Sequence, residues 1–216
     1  MKTTIFENNK DSIKEKSYRK ENLLWEWELI EERCNLIEKV SVKFDFIPKV
    51  KFINLDNELI YNQILVKEHS LSKIDNSDKL EMLNSFANNL QKMTDCGLIH
   101  GDIKRSNVIF DGNKLNLIDW EPAFKQIRRG KKIVLSTRPT RSLNDLKNKT
   151  VTSETDKLGF YLFCLQALKI KNLYKQDKDF LKKRKKENYM YTPIDEQKFV
   201  KLKYIEIFNK FIKVVI

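Results

Sequence analysis

Apolar residues at three- and four-residue spacing mark two helices in the first half of the chain. Leu23, Trp27, Ile30, Cys34 and Ile37 share one helical face, which predicts a helix over roughly residues 20–38. Leu80, Leu83, Phe86, Ala87, Leu90 and Met93 trace a second stripe starting near Ser77, and Gly97 follows it where a left-handed residue ends a helix. Between them lie strand-like runs at 49–55 and 58–66, parted by the turn-prone pair Asp56-Asn57. Another strand-like run covers 2–6, whereas Lys10, Lys14 and Lys16 stand in a polar stretch that reads as loop.

Beyond Gly97, two short apolar segments, Val108-Ile109-Phe110 and Leu115-Asn116-Leu117-Ile118, bracket the hairpin signal Asp111-Gly112-Asn113. This places Asp119 at the exit of a strand. Thr152 or Ser153 caps a later helix with Leu158, Tyr161, Leu162 and Leu165 on its buried side, and a last helix covers much of 196–216. Strands and helices mix up to about residue 70 and helices dominate afterwards. The expected class is therefore α+β, with one unit at 1–70 and a helical one at 71–216.

Composition narrows the setting more than the chemistry. A chain of 216 residues with 41% hydrophobic and 11% aromatic content can bury a core. Its formal charge of +12 favours anionic partners without choosing among them. Cys34, Cys96 and Cys164 are odd in number and far apart, which argues against a disulfide framework or a zinc site and for a reducing compartment. No apolar run has the length of a transmembrane segment, and the first residues lack the pattern of a secretion signal, so a cytoplasmic, soluble protein is expected. Basic clusters stand at 128–132 and 182–186. Only Tyr189 and Tyr191 lie near the second as stacking platforms, so there is no strong nucleic-acid signal.

Phosphoryl transfer asks little of a protein: a carboxylate to orient and deprotonate the acceptor hydroxyl, oxygen ligands for Mg²⁺, and cations against the phosphate charge. Asp102, Asn107 five residues later, and Asp119 at the strand exit supply the oxygens within one loop and one hairpin.

The run Leu98-Ile99-His100-Gly101-Asp102-Ile103-Lys104-Arg105-Ser106-Asn107, followed by Leu117-Ile118-Asp119-Trp120, resembles the catalytic and metal-binding loops of the protein-kinase-like superfamily. The resemblance implies a bilobal fold with ATP and Mg²⁺ as cofactors. It makes Asp102 the catalytic base, Lys104 a contact to the transferred phosphate, and Asn107 and Asp119 the metal ligands, with His100 supporting the loop. By the same resemblance, Glu26 in Glu26-Trp27-Glu28-Leu29-Ile30 would pair with the nucleotide-binding lysine, for which Lys2 is the choice as the lysine of the first strand-like run. Thr155-Asp156-Lys157-Leu158-Gly159 resembles the start of the large-lobe core helix, where Asp156 would brace the catalytic loop through backbone N–H groups.

Two departures qualify the resemblance. No glycine precedes Gly97, so the small lobe is expected to be reduced and to lack the glycine-rich loop. Trp120-Glu121 replaces the usual Phe-Gly after the metal-binding Asp and is closer to the aminoglycoside and choline phosphotransferase branch. Lys104 favours instead a Ser/Thr protein kinase with a protein substrate, acidic if the basic clusters recruit it. A small-molecule or lipid-linked acceptor, a pseudokinase scaffold, and a basic RNA- or membrane-binding module stand beside it as alternatives.

Overall fold

The computed structural model describes residues 2–7, 12–19, 27–120, 145, 151–170 and 201–215. Its first part is an antiparallel sheet of β1 (Lys2–Glu7), β2 (Ser12–Arg19), β3 (Val50–Asn54) and β4 (Glu58–Ile64), in the order β1-β2-β4-β3. Helix α1 (Trp27–Lys43) connects β2 to β3. The stretch holding Lys14 and Lys16 is thus an inner strand, not the expected loop. Its period of two is intact, but the inward positions are Lys14, Lys16 and Tyr18, set opposite Gln63, Tyr61 and Leu59 of β4. Lys16, Tyr18 and all three β4 partners are buried.

α1 turns Cys34, Ile37 and Val40 into the core. It outlasts the predicted end because Val40 continues the stripe of Ile37. Its Glu38 carboxylate accepts the Phe52 N–H, and Ser41 Oγ accepts the Val50 N–H at 3.4 Å, which ties the helix to β3.

The second part contains α2 (Asn76–Asp95), the hairpin β5 (Val108–Phe110) and β6 (Leu115–Leu117), α3 (Ser153–Ala167) and α4 (Tyr204–Val215). α2 ends as its sequence predicts: Gly97 adopts φ 77°, its N–H reaches Thr94 O at 2.8 Å, and the Leu98 N–H reaches Met93 O at 3.2 Å. The hairpin turn is held by Asp111 Oδ1, which accepts the N–H groups of Asn113 and Lys114. Phe86 of α2 meets Phe163 of α3 and Phe46 edge-on, and Phe160 meets Tyr204 of α4, so one aromatic core unites the helices. Phe46 also joins the two parts, since its carbonyl accepts the Leu117 N–H of β6 at 2.8 Å. No helix among the described residues is long and apolar enough to cross a membrane.

Candidate active site

The loop from His100 to Asn107 is held from below by α3. Asp156, fully buried in the first turn of that helix, accepts the N–H of His100 on Oδ2 and of Gly101 on Oδ1, both at 2.7 Å. This is the bracing role its sequence context implies. Burial pushes the Asp156 carboxyl up to about 7, while the two N–H donors pull it down and the charges of Asp102 and Asp145 push it further up. Gly101 takes φ 84°, a conformation that side-chain-bearing residues avoid, so this turn needs its glycine.

His100 fastens the loop from the other side. Its Nδ1 accepts the Asp102 N–H at 3.2 Å, which leaves the proton on Nε2 for Ile118 O at 2.9 Å. Burial lowers its pKa, and its ring stands edge-on to Trp120 at 4.7 Å. Trp120 is buried as well, with Nε1–H donating to Leu117 O at 2.9 Å. The imidazole is therefore a neutral strut between loop and hairpin exit.

Asp102 is buried and its Oδ2 accepts from Lys104 Nζ at 2.6 Å and from Asn107 Nδ2 at 3.3 Å. The Asn107 amide also donates to Asp102 O at 2.9 Å, so its own Oδ1, which accepts from Ser106 Oγ, is turned outward from that pair. The Ile118 N–H donates to Asn107 O at 2.9 Å. Ile118 is thereby bonded to both His100 and Asn107, and this sets Asp119 beside the Asp102–Asn107 loop.

Asp119 sits at φ 64°, a left-handed conformation that Asp tolerates better than most residues. The sheet holds it there. Gln63 Oε1 accepts the Asp119 N–H at 3.0 Å, the Trp120 N–H reaches Tyr61 Oη at 3.4 Å, and Tyr61 Oη donates to Gln63 Oε1. Lys16 Nζ donates to Asp119 Oδ1 at 2.9 Å. Burial alone would raise the Asp119 carboxyl, but the hydrogen bond and charge of Lys16, with Lys14 and His100 adding, hold it below the ordinary carboxylate range.

Of the residues singled out in the sequence, Asp102, Lys104, Asn107 and Asp119 are brought together. The lysine at Asp119 is Lys16; Lys2, expected as the nucleotide-binding lysine that pairs with Glu26, opens β1 and pairs with Ser17 one strand further out. Glu26 and the clusters 128–132 and 182–186 lie outside the described residues. Sequence reasoning missed Lys16, Gln63 and Tyr61; the alternation Lys14, Lys16, Tyr18 was the signal for the first. Asn107 Oδ1 and the Asp119 carboxylate are hard oxygen donors that fit Mg²⁺. Among the described residues no group of three or more His, Cys, Asp or Glu forms a self-sufficient metal cage. A Mg²⁺ held by one or two protein oxygens and the phosphates of a nucleotide needs none.

The comparisons with known proteins bear on the family and the fold. The RIO domain family matches residues 12–136, a span that includes Lys16, the Asp102–Asn107 loop and Asp119. No curated protein matches the chain. Among solved structures, the kinase PK-1 of Cydia pomonella granulovirus shares the fold, with a TM-score of 0.56 at 10% identity over 74% of this chain. This chain spans 61% of that one. The family match covers more than half of the sequence, and the chain belongs to the RIO domain family within the protein-kinase-like superfamily.

Proposed function

We propose that the chain is an ATP- and Mg²⁺-dependent protein kinase acting on Ser or Thr hydroxyls, with a small lobe at 1–70 and a large lobe at 71–216. The observation that carries this reading is the Lys16–Asp119 ion pair, joined through Ile118 to the loop bearing Asp102 and Asn107. In the transfer the acceptor oxygen attacks the γ-phosphorus, the bond to the β–γ bridging oxygen breaks, and ADP leaves with that electron pair. Asp102 takes the acceptor's proton. Lys104, in contact with Asp102, would contact the transferred group, and Lys16 would offset phosphate charge. Asn107 and Asp119 would hold Mg²⁺, which supplies further charge neutralisation. The Ser/Thr acceptor rests on Lys104, and three free cysteines favour a reducing, cytoplasmic setting.

The test is incubation with Mg²⁺ and γ-labelled ATP, alongside Asp102→Ala and Asp119→Asn, followed in protein and soluble fractions. Label in protein that depends on both aspartates supports the proposal. Label in a soluble acceptor moves the reading to a small-molecule kinase, and no label together with no nucleotide-induced thermal shift moves it to a scaffold.

A further inference from the structure

Lys14 precedes Lys16 by two positions on β2, and residues at that spacing point to the same face of a sheet. The register sets Lys14 opposite Gln63, whose Oε1 accepts the Asp119 N–H. Lys14 is therefore the neighbour of the Lys16–Asp119 pair on the same face. It is half-buried, and its charge is coupled to both members of that pair. Among the described residues no carboxylate forms an ion pair with it. Burial lowers its pKa first, the Lys16 ammonium works in the same direction, and Asp119 opposes them.

Two ammonium groups side by side on a partly buried face repel each other, and the pair is stabilised when an anion of more than one charge lies across them. A polyphosphate is such an anion. The strands β1 to β4 contain no glycine, so no glycine-rich turn within the described sheet presents backbone N–H groups to phosphate. A second side-chain cation supplies by charge what such a turn supplies by hydrogen bonds.

We infer that Lys14 is a second phosphate-binding residue of this site, engaging the polyphosphate of a nucleoside triphosphate together with Lys16. The inference rests on reading the Lys16–Asp119 pair as a nucleotide site. It makes affinity depend on the number of phosphates and on salt, because the contact is a charge contact with no base recognition in it.

The experiment is a set of equilibrium affinities of the full chain for ATP, ADP and adenosine with Mg²⁺, for the unsubstituted protein, Lys14→Met, Lys14→Arg and Asp119→Asn. Lys14→Met keeps the apolar stem and removes the charge. Its ATP affinity is expected to fall about tenfold or more, ADP less, and adenosine not at all, with Lys14→Arg close to the unsubstituted protein. Unchanged adenosine affinity also reports that the variant is folded. ATP binding that depends on Asp119 but is indifferent to Lys14→Met overturns this inference alone. So does a parallel loss for all three ligands, which would mean that Lys14 acts through the fold. Failure of the unsubstituted chain to bind ATP overturns the nucleotide reading and this inference with it.

Discussion

Lys16 Nζ lies 2.9 Å from Asp119 Oδ1 across 103 positions of chain, and this contact draws the sheet onto the exit of the β5–β6 hairpin. The Lys16 side chain is 8% exposed and that of Asp119 is 29%, so the pair is shielded far more than an ordinary surface salt bridge. Gln63 and Tyr61 hold the backbone of the same loop, and Lys16 has the Asp119 carboxylate to itself among these contacts.

Lys16→Met should therefore affect chemistry more than folding. The variant keeps the apolar stem against Tyr61 but leaves Asp119 without its nearest cation, so the Asp119 pKa rises. Turnover is expected to fall roughly 10²-fold, the usual scale for losing one charge-stabilising group, with about 1–2 kcal/mol lost in stability. Steady-state kinetics with ATP and a thermal melt check both. Wild-type turnover would remove Lys16 from the reacting site.

Asp102→Asn tests the proposed base separately from the loop. The amide occupies the same volume and can still accept from Asn107, but it loses its charge toward Lys104 and its capacity to take a proton. A fall of about 10²–10⁴-fold in turnover is expected, with nucleotide affinity and melting temperature little changed. A variant that also lost nucleotide affinity would show that Asp102 acts by organising the loop.

What was legible in the sequence was local. The Asp102–Asn107 spacing, the Asp111-Gly112-Asn113 turn and the Gly97 helix end each depend on residues a few positions apart, and all three elements stand where the pattern puts them. Asp156 was legible through the resemblance of Thr155-Asp156-Lys157-Leu158-Gly159 to the start of the large-lobe core helix, which implied the backbone bracing it performs. Lys16 was hidden for the opposite reason. β2 alternates in-and-out positions correctly, but two of its inward residues, Lys14 and Lys16, are cations, so a test based on hydrophobicity registers no strand. Gln63 was hidden likewise, as a polar residue in a row of Leu59 and Tyr61 whose purpose is set by a backbone N–H distant in sequence.

Gly159→Ala should reverse the ordinary sign of its substitution class. Replacing a helix-interior glycine by alanine normally stabilises by about 1 kcal/mol. Here a Cβ at position 159 would overlap the carbonyl oxygen of Ile103 and stand 3.1 Å from the Ile103 Cβ, because α3 runs directly against the His100–Asn107 loop. Overpacking of this kind costs about 1–3 kcal/mol. Ile103 is joined to Asp102, so the displaced loop should also turn over more slowly. Calorimetry and kinetics on one variant suffice, and a raised melting temperature would mean that α3 and the loop are less closely packed than this.

The buried carboxylate of Asp156 gives stability a dependence on pH that can be separated from the rest. Burial raises its pKa to about 7 from an ordinary 3.8. Between these values the folded chain binds more protons at this site than the unfolded chain does. The contribution of Asp156 to stability is therefore fully present at low pH and is lost as pH rises toward 7, then levels off. His100 has the opposite sign: burial lowers its pKa, so acidification below about 6.5 costs stability. Asp156→Asn separates the two, since both proteins retain His100. The variant should be less stable by about 1–3 kcal/mol, because an amide offers one acceptor where His100 and Gly101 present two N–H donors. Denaturant unfolding from about pH 5 to 8 should show the wild-type advantage shrinking up to pH 7 and constant above it. A constant advantage across the whole range would mean that the two backbone donors outweigh burial and keep Asp156 ionised throughout.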